Sequence, residues 1–211
     1  MKKIYLVVCV AFLAACSPST PIATTPTLVD VYATSAAGPW LNEAFTCAAQ
    51  AGVTLNVLSN PADAELVLQI GEPDALATPA YQIDTEEMLV ATHRESPLQN
   101  LTLERVRDLF AGRGDPSVQV WVYASGEDSQ KVFDQLVMAG GGVTSFARMA
   151  SSPQEMSDVL NNESNTVGIL PRHWKMGSVR EIYSVGTVPV LAIVKEEPQG
   201  AIQSLIACLQ K

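Results

Sequence analysis

Histidine is nearly missing from this chain, with only His93 and His173 among 211 residues. Neither belongs to an H-E-x-x-H pair, and no Cys-x-x-Cys spacing is present, so no zinc or redox signature exists. G-x-S-x-G is absent, and Gly140-Gly141-Gly142 is not followed by Gly-Lys-Ser/Thr, which removes the nucleophile elbow and the phosphate loop. Basic residues are few, 13 against 22 acidic ones, for a net charge of −9. Neutralising a phosphate backbone needs a Lys/Arg surface, so no nucleic-acid partner is expected. Past the first 15 residues no apolar run approaches the ~20 residues of a membrane-spanning helix. With no catalytic residue, metal or cofactor to name, the chain is expected not to be an enzyme. His93 reads as a hinge or turn residue and His173 as a solvent-facing turn residue.

What is present begins with targeting. Lys2 and Lys3 precede an apolar run over 4–11, and Leu13-Ala14-Ala15-Cys16 fits the lipobox of bacterial lipoproteins. Residues 1–15 are then a signal peptide, and Cys16 becomes a diacylated N-terminus whose two chains suffice for stable anchoring. The alternative is an ordinary secretory signal with Cys16 there by chance. Residues 16–27 are a Pro/Thr/Ser linker too polar to pack. The expected location is the extracytoplasmic side of the envelope, on the cell membrane or the outer membrane. Cleavage would leave 11 basic against 22 acidic residues. Of the four cysteines, Cys47 and Cys208 remain, one in each terminal helix, as a disulfide pair or as two buried thiols.

The rest is 47% hydrophobic and 17% charged over the whole chain, enough to bury a core. A strand over 28–32 leads to a helix opening at Pro39, with Leu41, Ala44, Phe45 and Ala48 as its buried face. Strands follow over 53–58 and 65–70, then an irregular stretch over 71–85 and a strand over 87–91. Further strands are expected over 118–123, 166–170, 179–182 and 188–194. A helix follows Ser125, which has capping-box-like spacing to Asp128, with Val132, Phe133, Leu136 and Val137 facing inward. Ser152-Pro153-Gln154-Glu155 starts another, and Ile202, Leu205, Ile206 and Leu209 line a closing helix. Strands alternating with helices imply an α/β fold with a mainly parallel sheet, where sites form at the carboxyl ends of strands. Trp121 and Trp174 could stack a ligand, although a strand tryptophan is more often core.

The most legible stretch is 96–113, S-P-L-Q-N-L-T-L-E-R-V-R-D-L-F-A-G-R. Pro97 pushes Ser96 out of helical angles, Thr102 is an N-cap with Glu104 in the first turn, and Gly112 closes the helix. Its wording resembles the crossover segment of type II periplasmic solute-binding proteins, in particular the phosphate-binding branch, where N-P-V-x-x-L-T-x-E-x-L-x-x-I-F-x-G leaves the first lobe. Val167-Gly168-Ile169 is similar to that family's A-I-G-Y, with Ile169 for the aromatic, and Gly186-Thr187-Val188-Pro189 matches its Gly-x-x-Pro.

The resemblance implies a two-lobe type II periplasmic-binding-protein fold with mixed, mainly parallel sheets flanked by helices. Residues 28–95 would begin lobe 1, 96–175 would form the crossover and lobe 2, and 176–211 would return to lobe 1. It also implies capture of a small solute between the lobes and delivery to an ABC permease. The alternative is a binding-protein-like module with a sensory or protein-interaction role and no transported ligand. The ligand stations would be Thr34 and Ser35, then Gly71, then Ser125, Gly126 and Ser129. For Thr34 and Ser35, capping or turn formation is an equal alternative. The phosphate branch has R-x-x-x-S-G-T before the lobe-2 helix; here the arginine is absent, with Glu127 at the serine, Asp128 at the glycine and Ser129 at the threonine. Two carboxylates there complement the helix dipole and repel an oxyanion, so phosphate is not carried over as the ligand.

Overall fold

The computed structural model describes residues 27–211 except 74 and 76. The lipobox, Cys16 and nearly all of the linker lie outside the described residues. Strands β1 (Thr27–Ala33), β2 (Val53–Val57), β3 (Leu66–Ile70), β4 (Ala80–Thr92), β5 (Gln119–Val122), β6 (Arg148–Met149), β7 (Thr166–Pro171) and β8 (Arg180–Val194) form one sheet in the order β2-β1-β3-β8-β4-β7-β5-β6. Its flanks are parallel and its middle is antiparallel.

The middle pair makes the two halves. β4 and β8 run antiparallel along nearly their whole length, 13 and 15 residues. β3 pairs with one end of β8, from Leu66↔Val194 to Ile70↔Val190, while β7 pairs with the other end of β4, from Thr92↔Val167 to Met88↔Pro171. Both flanking strands therefore run their carboxyl ends toward the centre of the β4/β8 ribbon. The loops that leave β1, β3, β5 and β7 meet there.

Helices α1 (Gly38–Ala51) and α5 (Gly200–Leu209) cover the first half, and Cys47 is disulfide-bonded to Cys208 between them, with 5.6 Å between Cα atoms. Trp40, Ala44, Cys47 and Ala48 form the buried stripe of α1; Phe45, expected inside, is 45% exposed. Helices α2 (Leu103–Phe110), α3 (Asp128–Phe133) and α4 (Pro153–Asn162) belong to the second half. Thr102 caps α2 by accepting the Arg105 N–H, and Gly112 follows it at φ +78°. The Arg180 side chain donates to the carbonyls of Arg94, Ser96 and Leu98, which pins the turn ahead of α2.

Four expectations shift. Residues 80–85 are strand, not irregular, and 180–194 is one strand instead of two. α3 continues into a π turn over Asp134–Met138, which rotates Leu136 outward to 44% exposure while Val137 stays buried. Finally, Ser125 does not start α3: Glu127 occupies the N-cap position, and Ser125 and Gly126 are exposed in the turn before it.

Candidate functional site

At the centre of the ribbon the loop after β1 supplies Thr34 and Ser35, β3 ends at Ile70, and the turn after β5 leads into Asp128. Asp128 is only 8% exposed. Its Oδ2 accepts a hydrogen bond from Thr34 Oγ1 at 2.5 Å and another from the Ile70 N–H at 3.1 Å, both from the opposite half. Its Oδ1 accepts the Ser129 N–H at 2.7 Å. Beside it, Ser35 Oγ donates to Glu127 Oε2 at 3.1 Å. Just past Ile70, Gly71 sits at φ +71° with its N–H on Pro189 O, so close to α3 that a Cβ would stand 2.6 Å from Val132 Cγ2.

Burial raises the pKa of Asp128, opposed by the hydrogen bonds from Thr34, Ile70 and Ser129; the nearby Glu127 pushes it further up. The same pair of carboxylates adds to the effect of burial in raising the phenols of Tyr32 and Tyr123. Three donors converging on two oxygens is the pattern of an oxyanion station, and here the chain's own carboxylate supplies the oxygens. The Ser129 hydroxyl, also buried, has no partner among the described residues.

A second set of contacts joins the halves through the loop after β7. His173 Nδ1 lies 2.7 Å from Oε2 of the fully buried Glu86, in the middle of β4, and the imidazole packs on Trp40 of α1 at 4.7 Å between centroids. Trp174 Nε1 donates to Ala36 O at 3.0 Å, and its ring lies against Gly38, where a Cβ would come within 3.2 Å. Burial raises the Glu86 pKa, opposed by its contact with His173. Around the corner Arg172 bridges Glu87 and Glu181 at 2.7 and 2.8 Å, and its hydrogen bond holds the Glu87 carboxyl below the usual range.

The structure brings Thr34, Ser35, Gly71 and Ser129 together and leaves Ser125 and Gly126 outside. Ser129 contributes its backbone N–H, and Thr34 also accepts the Ala37 N–H at 3.3 Å. His173 faces solvent as expected, and it is also held by a buried carboxylate and a tryptophan. Trp121 is core, 8% exposed. Sequence reading missed the Ile70 N–H, the Glu86–His173 pair and the occupant of the station. The last had a signal: an acid stands where the resembled motif has glycine. A surface cavity of about 300 Å³, lined by Leu109, Gly114, Val118 and Phe146 among others, touches none of these residues.

No family model matches the chain, and no curated protein matches it. Solved structures do. A Clostridium perfringens protein named for phosphate ABC transport and solved with bound phosphate aligns at TM-score 0.75 and 15% identity, over 87% of this chain and 93% of its own. An ABC-type phosphate transport receptor from Vibrio cholerae aligns at 0.68 and 14%, with the same coverages. The regulatory domain of Synechocystis CcmR, in complex with 2-PG, aligns at 0.66 and 10%, over 87% and 96%. At such identities the likeness establishes the fold: this chain has the two-lobe type II periplasmic-binding-protein architecture that its crossover segment resembles.

Proposed function

We propose that this protein is a solute-binding module of the cell envelope, tethered through Cys16, whose two lobes close on a small solute for an ABC permease. The carrying observation is the convergence of the Thr34 hydroxyl, the Ile70 N–H and the start of α3 on one buried pair of oxygens between the lobes. Donors of that kind, fixed by strand ends, hold an anionic group without reorganisation. The role is binding, not catalysis. A second reading draws on the identity of those oxygens. Because Asp128 fills the station, the domain acts as a sensory or protein-interaction module with no transported ligand.

Thermal shift of the mature protein against oxyanions, amino acids and sugars separates the two. A transported solute at about 100-fold over its Kd adds about 2.7 kcal/mol of stability. Stabilisation by one solute class supports transport. A flat response across all classes, with a protein partner recovered from envelope extracts, supports the second reading.

A further inference from the structure

We infer that Asp128 is an internal ligand: its carboxylate occupies the oxyanion station between the lobes and latches them shut, so that truncating it uncovers a receptor for a small carboxylate. The inference uses the cleft assigned above but holds whether or not a solute is transported.

The geometry argues for a ligand-like role over ordinary helix capping. An acid in the first turn of a helix normally faces solvent or its own N-terminal N–H groups. Asp128 is buried, and two of the three hydrogen bonds it accepts come from the other half, from residues 94 and 58 positions away in sequence. Those donors do not depend on Asp128 for their placement. Thr34 is fixed by its N–H on Leu68 O and by the Ala37 N–H on its hydroxyl, and Ile70 ends a strand paired to β8. They form a rigid cradle in one lobe, and the carboxylate is the plug brought by the other. Glu127 on Ser35 repeats the pattern one residue earlier with less burial. The titratable groups facing the plug are Glu127 from its own turn and the neutral phenols of Tyr32 and Tyr123 from β1 and the end of β5. The Thr34 hydroxyl and the Ile70 and Ser129 N–H groups therefore do the holding, and the same donors are open to a diffusible carboxylate at high concentration once the tethered one is removed.

The test compares the mature protein with Asp128→Ala by calorimetric melting in sodium formate or acetate against sodium chloride at matched ionic strength. Formate or acetate at 100 mM is expected to raise the Tm of Asp128→Ala by several degrees beyond chloride and to leave the wild type at its chloride value. Adding Thr34→Val to Asp128→Ala should abolish the rise. Small-angle scattering should give Asp128→Ala a larger radius of gyration in chloride and the wild-type value in formate. Equal responses of the two proteins, or none in a folded Asp128→Ala, would overturn the inference. If Asp128→Ala does not fold, Asp128→Ser carries the same comparison with the same criteria. A wild type that binds no solute while the variant is rescued sinks the transport reading and leaves this one standing.

Discussion

At the scale of single residues, Asp128 is a buried carboxyl held by donors from both halves of the molecule. Its pKa is raised chiefly by burial, so the folded protein holds that proton more tightly than the unfolded chain does. The associated stability is present at low pH and is lost as pH rises through the raised value. Melting curves from pH 4 to 8 should therefore show the wild type gaining on Asp128→Asn as pH falls, since asparagine has nothing to titrate. A gap that does not change with pH would mean that the carboxylate is not buried. The acid itself was visible in the sequence as a departure from the resembled motif. Its partners were not, because Thr34 and Ile70 lie 94 and 58 residues away and one of them acts through a backbone N–H that no side chain marks.

Elements were legible where local grammar was strong and obscure where the tertiary fold overrode it. α2 and α4 follow their caps, with Thr102 and Ser152 accepting from Arg105 and Glu155. β4 was half hidden because Q-I-D-T-E-E lacks an apolar alternation, yet it lies in the centre of the sheet and buries Glu86 against His173. The π turn after α3 was equally unreadable, since it changes the helical period on which the inward face was assigned. The contact between the end of β3 and α3 gives a prediction with an internal control. Gly52 and Gly71 have similar left-handed angles, φ +68° and +71°, but only Gly71 has a neighbour inside van der Waals range of a Cβ. Gly52→Ala should cost about 1–2 kcal/mol for the backbone alone. Gly71→Ala should cost ~1–3 kcal/mol more for overpacking, measured by urea unfolding. Equal losses would show that α3 does not press on the strand end.

For the whole molecule, the disulfide ties α1, near the start of the described domain, to α5 near its close. Cys47 and Cys208 are separated by 161 positions, a loop that nearly spans the folded domain. On chain entropy alone such a link stabilises by about 5 kcal/mol at 25 °C. The Cys47→Ser/Cys208→Ser protein is expected to lose about 2–5 kcal/mol in urea unfolding. Intact mass with and without reduction before alkylation checks that the bond forms. The architecture was readable at this scale from a single crossover segment, because its proline, caps and closing glycine serve the path of the chain whatever the cleft holds.

In the β4/β8 ribbon the connection between the lobes is itself part of the sheet. The lobes are not joined by loose crossings but by two paired strands, about 43 Å along the 13 residues of β4. Register slips fall between Gln82 and Asp84, between Met88 and Leu89 and between Val90 and Ala91, the latter two flanking the pairs of Leu89 with Ser184 and Val90 with Tyr183. Movement of one lobe against the other is then torsion of a continuous band, resisted elastically along its length and released at those slips. The resting angle between the lobes is then set by the twist and register of the band that joins them.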